Sequence, residues 1–447
     1  MHRIVHQSRR IMFESHRRGT RRATALGALA LSTALIATGC AGPSGDDGVA
    51  EDGSVTLTYR TWIPSAEQWQ PIVEAFEAEN PDITIDFQGA DAAADYLGEL
   101  DNLILAGEVP DMYGIQVGSA FDDYADYALP TDEYAADWID GVKPELLEST
   151  TTTDGTVAAV PILTAGSEFF LYNQTLMEEL GLSIPTDLAS LTEMSEKAKA
   201  AGYTPFAMGA ADAWHASDFF VWLSNQYGGG GDIYDAAAGD IDWDSENLIA
   251  AAEAWQGLFT DGVFQNAATS TTTYPAARDD YFMARKSIAM PTGSWHVSAT
   301  LAGNPETPGS AVEEDVLGMA AFPTIGEDDA VSTTGVDYAL ALSSELEGPK
   351  LEAAAKFAEF LAVGAGQQTW VNSMQGFPAA TDITAEIAGD ETPTAIKSVE
   401  VVTEALQSSD FPRKLTSENE GLENDLGIVL QNIANGADPA SELSTLN

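Results

Sequence analysis

Residues 55–87 read VTLTYRTWIPSAEQWQPIVEAFEAENPDITIDF. Val55, Leu57 and Tyr59 alternate with Thr56, Thr58 and Arg60, the period of two that sends side chains to opposite faces of a strand. The period then changes. Trp69, Ile72, Val73 and Phe76 recur at i, i+3, i+4 and i+7, one face of a helix, with Pro71 expected in or near its first turn, where a missing N–H is harmless. Asn80-Pro81 stops the helix, and Ile83, Ile85 and Phe87 alternate again. Strand, helix and strand this close together make a βαβ unit, hence a parallel pair in a sheet covered on both faces.

The same two periods recur outward from this unit. The stretch Gly155-Thr156-Val157-Ala158-Ala159-Val160-Pro161 is expected as a short hairpin or as a strand ending at the proline. Helical spacing returns at 192–201, 248–259, 349–363 and 422–433. In the last of these Leu422, Leu426, Val429 and Ile433 share a face, and Asn435-Gly436 closes it. No internal repeat is present. With 447 residues, 45 % apolar and 9 % aromatic, the chain can build two or three units with real cores.

Charge is uneven. The whole chain holds 19 basic and 70 acidic residues, a net of −51. Seven arginines and one acid fall within residues 1–39, so the remainder carries 12 basic against 69 acidic residues, a net of −57. Such a body does not bind phosphate backbones, which excludes nucleic acid as a partner. The basic leader runs into an uncharged stretch, 23–40, that is short for a membrane span and suits an export signal. Its end, Ile36-Ala37-Thr38-Gly39-Cys40, resembles a bacterial lipobox, and Cys40 is the sole cysteine. The expectation is a signal peptide over 1–39, a lipid anchor at Cys40 and a flexible, Gly- and acid-rich tether over 40–54, holding the body at the outer face of a cell membrane.

Several chemistries find no residues to carry them. Outside the leader there are two histidines, His215 and His296, and no cysteine besides Cys40. No zinc constellation, Cys–His pair, nucleophile elbow, Walker loop or dinucleotide fingerprint occurs. Gly228-Gly229-Gly230-Gly231 reads as a flexible turn, because no Lys-Ser/Thr follows it. No metal and no cofactor are expected.

A series of landmarks carries a resemblance over nearly the whole body. They are Arg60-Thr61-Trp62, Phe76-Glu77-Ala78-Glu79-Asn80-Pro81, Ala106-Gly107-Glu108-Val109-Pro110-Asp111, Asp154-Gly155-Thr156-Val157 and Leu171-Tyr172-Asn173-Gln174-Thr175-Leu176. Further along come Tyr203-Thr204-Pro205-Phe206-Ala207, Phe282-Met283-Ala284-Arg285-Lys286 and Gly293-Ser294-Trp295. In this order the chain resembles family 1 extracellular solute-binding proteins of ABC importers, the group that includes maltose-binding protein. The resemblance implies an α/β, two-lobe periplasmic-binding fold of type II, with discontinuous lobes joined by a hinge. Lobe 1 is expected over 55–164 and 330–376, lobe 2 over 165–325 and 377–447.

The resemblance also implies a ligand in the interlobe cleft, a carbohydrate and in particular a small oligosaccharide, passed on to ABC permease subunits by a monomer without catalytic activity. Sugars need flat aromatic surfaces with hydrogen-bonding groups around them, placed in loops at strand ends. Trp295, after a Gly-Ser turn, matches a stacking position of the family; so does Trp214, with His215 beside it. Trp62 closes the first strand, where it either faces the cleft or packs on the following helix. Asp91 and Gln116 lie on matching cleft loops, Ser167 and Glu168 at the first expected crossing between lobes, Asp337 and Tyr338 at the return crossing. Arg278 and Arg413 stand out as rare cations that serve either sugar hydroxyls or ion pairs. The family's late stacking aromatic has no counterpart in 417–422. Two other readings fit the composition: the same fold binding a polyamine or other cation drawn by the negative charge, and a secreted polysaccharide-active enzyme.

Overall fold

The computed structural model describes residues 48–447 apart from 64–65, 91–92, 119–120, 305, 388–390, 410, 418 and 420. The expected leader, Cys40, the start of the tether and Asp91 lie outside the described residues. The last tether residues fold back on the first strand. Val49 bridges Val55, the Thr56 amide donates to the Gly48 carbonyl at 2.9 Å, and Asp52 accepts from the Ser54 amide and hydroxyl.

Strand β1 (Val55–Thr61), the helix Ala66–Glu79 and β2 (Ile83–Gly89) form the parallel unit, Val55 opposite Ile83 and Thr61 opposite Gly89. Pro71 falls one turn deeper than expected. The helix already begins at Ala66, since Ala-Glu-Gln are strong helix formers, and the bond that an amide at 71 would give to the carbonyl at 67 is missing.

The remaining strands are β3 (Met112–Ile115), β4 (Val160–Ser167), β5 (Phe169–Asn173), β6 (Thr204–Phe206), β7 (Ser287–Thr292), β8 (Leu317–Ala321), β9 (Thr333–Leu342), β10 (Phe377–Pro378) and β11 (Phe411–Pro412). Seven of the eleven form one sheet, in the order β10-β4-β9-β3-β1-β2 with β11 beside β9; the other four form a second, in the order β6-β7-β5-β8. In the larger sheet β1 runs parallel to β2 and β3, while β9 is antiparallel to β3 and β4. Pro161 does not end a strand. Thr151 and Val157 close a short hairpin, and β4 then runs through Pro161 to Ser167. The proline sits beside a register shift in the β4–β9 ladder, where its missing donor is tolerated.

The later helical patterns appear as Leu188–Ala200, Glu246–Thr260, Gly348–Ala362 and Leu422–Ala434. Asn435 caps the last and Gly436 follows it at φ 99°. Tyr59, Trp69, Phe76, Tyr338, Phe357 and Trp370 fill the core of the larger sheet. Phe170, Phe206, Phe219, Trp222, Trp255 and Phe322 fill that of the smaller. Each sheet thus has its own apolar centre, one lobe around each.

Three of the passages of chain between the larger sheet and the smaller lobe meet at one rung. Chain passes from β4 to β5 through Ser167-Glu168, from β8 to β9, and from β11 to the Leu422–Ala434 helix. Ser167 pairs with Thr333, and Thr333 pairs with Phe411, so these crossings lie side by side.

A candidate ligand site between the lobes

Strand β4 delivers Ser167 and Glu168 to this crossing, both buried, and the Ser167 hydroxyl and Glu168 Oε2 have no hydrogen-bond partner among the described residues. From the smaller lobe, the helix Ala213–Ser224 brings Trp214, His215 and Asp218. Strand β7 ends at Thr292, and the turn Ser294–Thr300 after it carries Trp295 and His296. Ser294 fixes that turn to the crossing, its hydroxyl accepting from the Gly166 amide at 3.0 Å.

Tyr274 gathers the aromatic groups. Its ring lies 4.9 Å from Trp214, 4.8 Å from His215, 5.6 Å from His296 and 6.2 Å from Trp295, centroid to centroid. The Trp295 indole N–H donates to the Tyr274 hydroxyl at 2.6 Å, and that hydroxyl also touches Thr292 and His296 Nδ1. Tyr274 comes from a short helix begun by Thr273, whose side chain caps it; the Tyr274 amide donates to Asp212 at 2.8 Å. Trp214 and Trp295 are half-buried, so the cluster is a platform with an open side rather than a closed core.

A buried charge cluster adjoins the platform. Arg413, just past β11, donates through Nε to Asp218 Oδ2 at 2.9 Å and through Nη2 to the same carboxylate at 2.7 Å. Its Nη1 bonds Asp337 of β9, and its guanidinium carbon lies 4.7 Å from the centroid of the Trp295 ring. Lys414 pairs with Asp218 at 3.0 Å and with Glu423 at 2.6 Å. A cavity of about 20 Å³, room for a single water, is walled by the loop glycine Gly118 after β3 and by Ser217, Asp218, Arg413, Lys414 and Glu423. Its walls come from both lobes.

Burial sets the electrostatics. It pushes the Glu168 carboxyl well above the usual carboxylate range; Asp218 nearby adds to this and Arg413 only partly opposes it, so Glu168 holds its proton more tightly than a free carboxyl does. Burial also lowers His215 to about 4 and His296 to about 3, leaving both imidazoles neutral. Burial works against the charge of Asp218, but Arg413 and Lys414 outweigh it and hold its pKa low. The imidazoles beside the platform are therefore uncharged, the Arg413 guanidinium lies over Trp295, and Asp218, Asp337 and Glu423 each have a cation in hand.

The structure brings Ser167, Glu168, Trp214, His215, Trp295 and Asp337 into this one region. Trp62 stands just past β1 on the larger lobe, half-buried against Tyr96 and Tyr338 at 5.4 and 5.3 Å. Tyr338 is wholly buried in the larger core, its hydroxyl on that of Tyr59. Asp337 and Tyr338 are neighbours on a strand and so face opposite ways. A Cβ at Gly114 would meet the Tyr338 ring at 2.5 Å, which shows how tightly that side is packed. Gln116 follows β3, half-buried. Arg278 pairs with its exposed neighbour Asp279 at 2.7 Å. Sequence reasoning missed Tyr274, Asp218 and Lys414. Asp218 did leave a signal, as the only acid in the otherwise apolar helix AWHASDFFVWLS.

Residues 71–397 match the family described as bacterial extracellular solute-binding protein. The chain belongs to that family. A "multiple sugar-binding protein" of Streptococcus mutans is 22 % identical over 69 % of this chain and 71 % of its own length. An ABC transporter extracellular-binding protein of Pyrococcus horikoshii is 24 % identical over 46 % of this chain; the match spans about half, 48 %, of that relative. Among solved structures, one from work on xylan utilization by Caldanaerobius polysaccharolyticus superposes with a TM-score of 0.73 at 20 % identity, covering 88 % of this chain and 99 % of that one. The maltose-bound MalE3 of T. maritima gives 0.70 at 18 % identity, over 88 % and 97 %. The two sheets and their helices are thus the two-lobe α/β fold of the periplasmic binding proteins, as the sequence landmarks implied. In a solute-binding protein of this kind a ligand lies beyond the carboxyl ends of the strands, and Ser167, Thr292 and the chain after them are such ends.

Proposed function

We propose that the protein captures a neutral carbohydrate, a small oligosaccharide, between its lobes and hands it to the permease of an ABC importer, while a lipid on Cys40 holds it at the outer face of the cell membrane. One observation carries the reading. A half-open platform of Trp214, Tyr274 and Trp295 stands by the crossing that carries Ser167 and Glu168, whose buried Oγ and Oε2 have no hydrogen-bond partner among the described residues. Unpaired buried polar groups are costly, and sugar hydroxyls would satisfy them while the sugar's C–H face covers the indoles. The buried Glu168 carboxyl would exchange a hydrogen bond with a sugar hydroxyl. Because the cluster's charged carboxylates are already paired, an ammonium ligand finds no free partner there. The names and bound ligands of the sugar-binding relatives support the same class. The matching family is one of solute-binding proteins, and we read the role as binding without turnover.

Closure then works by population shift, the ligand touching both lobes only when they are together. A thermal-shift screen against maltose, maltotriose, raffinose, xylotriose and spermidine tests the reading. A ligand held at about 100 times its Kd adds about 2.7 kcal/mol, so a saccharide hit raises the unfolding midpoint measurably. A spermidine hit with no response to any sugar would sink the proposal.

A further inference from the structure

The ion pairs of the described residues divide by where their partners sit. Arg285 bonds Asp315 and Glu179 at 2.6 and 3.0 Å, all within the smaller lobe. Lys350 bonds Asp111 at 2.6 Å within the larger. Two cations just past β11 are different: Lys414 pairs with Asp218 at 3.0 Å, and so, at 2.7 Å, does Arg413. Its backbone belongs to the larger sheet, where its amide donates to the Thr334 carbonyl of β9 at 3.0 Å, and Asp337 three residues along the same strand holds one side of the guanidinium. The other side of the fork reaches across to Asp218 on the smaller lobe's Ala213–Ser224 helix, and the plane lies over Trp295.

We propose that Arg413 is a positioning residue that latches the two lobes together beside the crossing and presses Trp295 into the orientation of the sugar platform. A guanidinium suits this task because its planar fork can hold two carboxylates and stack on an indole at once, which a lysine cannot do. With one strand-anchored end and one end on the opposite lobe, the side chain opposes lobe separation in the ligand-free protein. It also lies over Trp295, whose ring rests closely on Gly293, so it limits the indole surface left to a ligand. The latch rests on the two-lobe binding reading only for its link to affinity; its effect on shape needs no ligand.

Small-angle X-ray scattering of the ligand-free protein tests it. Asp218→Asn cuts the cross-lobe bond but keeps Arg413 on Asp337 and Lys414 on Glu423; Arg413→Gln removes the fork altogether. Both are expected to have a larger radius of gyration than the wild type while still folded. Arg285→Gln, which breaks an ion pair inside one lobe, is expected to lower the unfolding midpoint and leave the radius unchanged. A purely structural role for Arg413 predicts the Arg285→Gln pattern for all three. If Arg413→Gln does not fold, Asp218→Asn carries the test, and an unchanged radius in folded Asp218→Asn overturns the latch. Titration with maltotriose and raffinose adds the second arm: for whichever binds the wild type, Asp218→Asn is expected to weaken affinity by roughly tenfold or more. If neither sugar binds the wild type while the radius still grows, the carbohydrate reading fails and the latch stands.

Discussion

Two aromatic clusters in this molecule look alike in composition and differ in everything else. In the larger lobe Tyr59, Trp69, Phe87, Phe357 and Trp370 pack edge to face or tilted, with centroids 5.1–6.2 Å apart, around the hydroxyl pair of Tyr59 and Tyr338. In the smaller lobe Trp214, Tyr274 and Trp295 lie at similar spacings, but they are mixed with imidazoles, a buried carboxyl and a guanidinium. Both clusters leave polar atoms unpaired. In the first these are the indole N–H groups of Trp69 and Trp370, inside a closed core; in the second they include a carboxyl and a serine hydroxyl next to half-buried rings. An aromatic cluster becomes a site when its company is polar and one side stays open, and spacing alone does not reveal which case applies.

The comparison can be broken in several ways. The largest stability effect is expected at Arg413. Replacing it by leucine strands Asp337 in a buried setting, leaves Asp218 with Lys414 alone, and costs about 3–5 kcal/mol by urea unfolding. A loss below about 1 kcal/mol would show that the cluster is hydrated in solution. Next comes a swap of roles between tryptophans. Trp69→Ala is expected to cost about 3–5 kcal/mol of stability with ligand affinity unchanged in the folded protein. Trp295→Ala is expected to cost about 1 kcal/mol of stability and about 2 kcal/mol or more of sugar affinity, roughly 30-fold in Kd by calorimetry. The reverse pattern would exchange core and site.

The fold was legible in the sequence because periodicity is local. The alternation at 55–87 and the face formed by Leu422, Leu426, Val429 and Ile433 both survive as the expected elements. Pro71 and Pro161 were misplaced because a proline's cost depends on which bond it removes, which only the finished ladder shows. Half of the site was legible for a related reason. Trp295, Trp214 and Glu168 stand at ends of readable elements. Asp218 and Tyr274 did not announce themselves, since their partners lie 195 and 21 residues away. Asp218 is also one of 70 acids. Arg413 could be marked as a rare cation, but not its partners. Tyr338 beside Asp337 shows the limit of reading by loop position: one residue along a strand turns a side chain from the charge cluster into the core.

Protonation offers a smaller and subtler test. Glu168 binds its proton more tightly folded than unfolded, so it makes stability fall as pH rises from the ordinary carboxylate range toward its elevated pKa. Glu168→Gln is expected to flatten that slope and to raise the unfolding midpoint at neutral pH. His215 and His296 act in the opposite sense. Lowered to about 4 and about 3, they remove stability as pH falls below about 6.5, their ordinary value. Acid scans of Glu168→Gln should therefore show a steeper loss below that pH than the wild type, and a parallel curve would contradict the assignment. The smallest effect is expected at Tyr338→Phe, about 1 kcal/mol from the lost hydroxyl pair, with sugar affinity untouched. A change in affinity there would bring the larger core into the site.

The most direct measurement is a crystal structure of the protein with the tightest saccharide from the thermal-shift screen. The account predicts a sugar ring lying on the Trp214–Trp295 platform, with hydroxyls within hydrogen-bond distance of Ser167 Oγ and Glu168 Oε2 and Arg413 still over Trp295. A saccharide bound away from that platform, with those two oxygens still unpartnered, would contradict it.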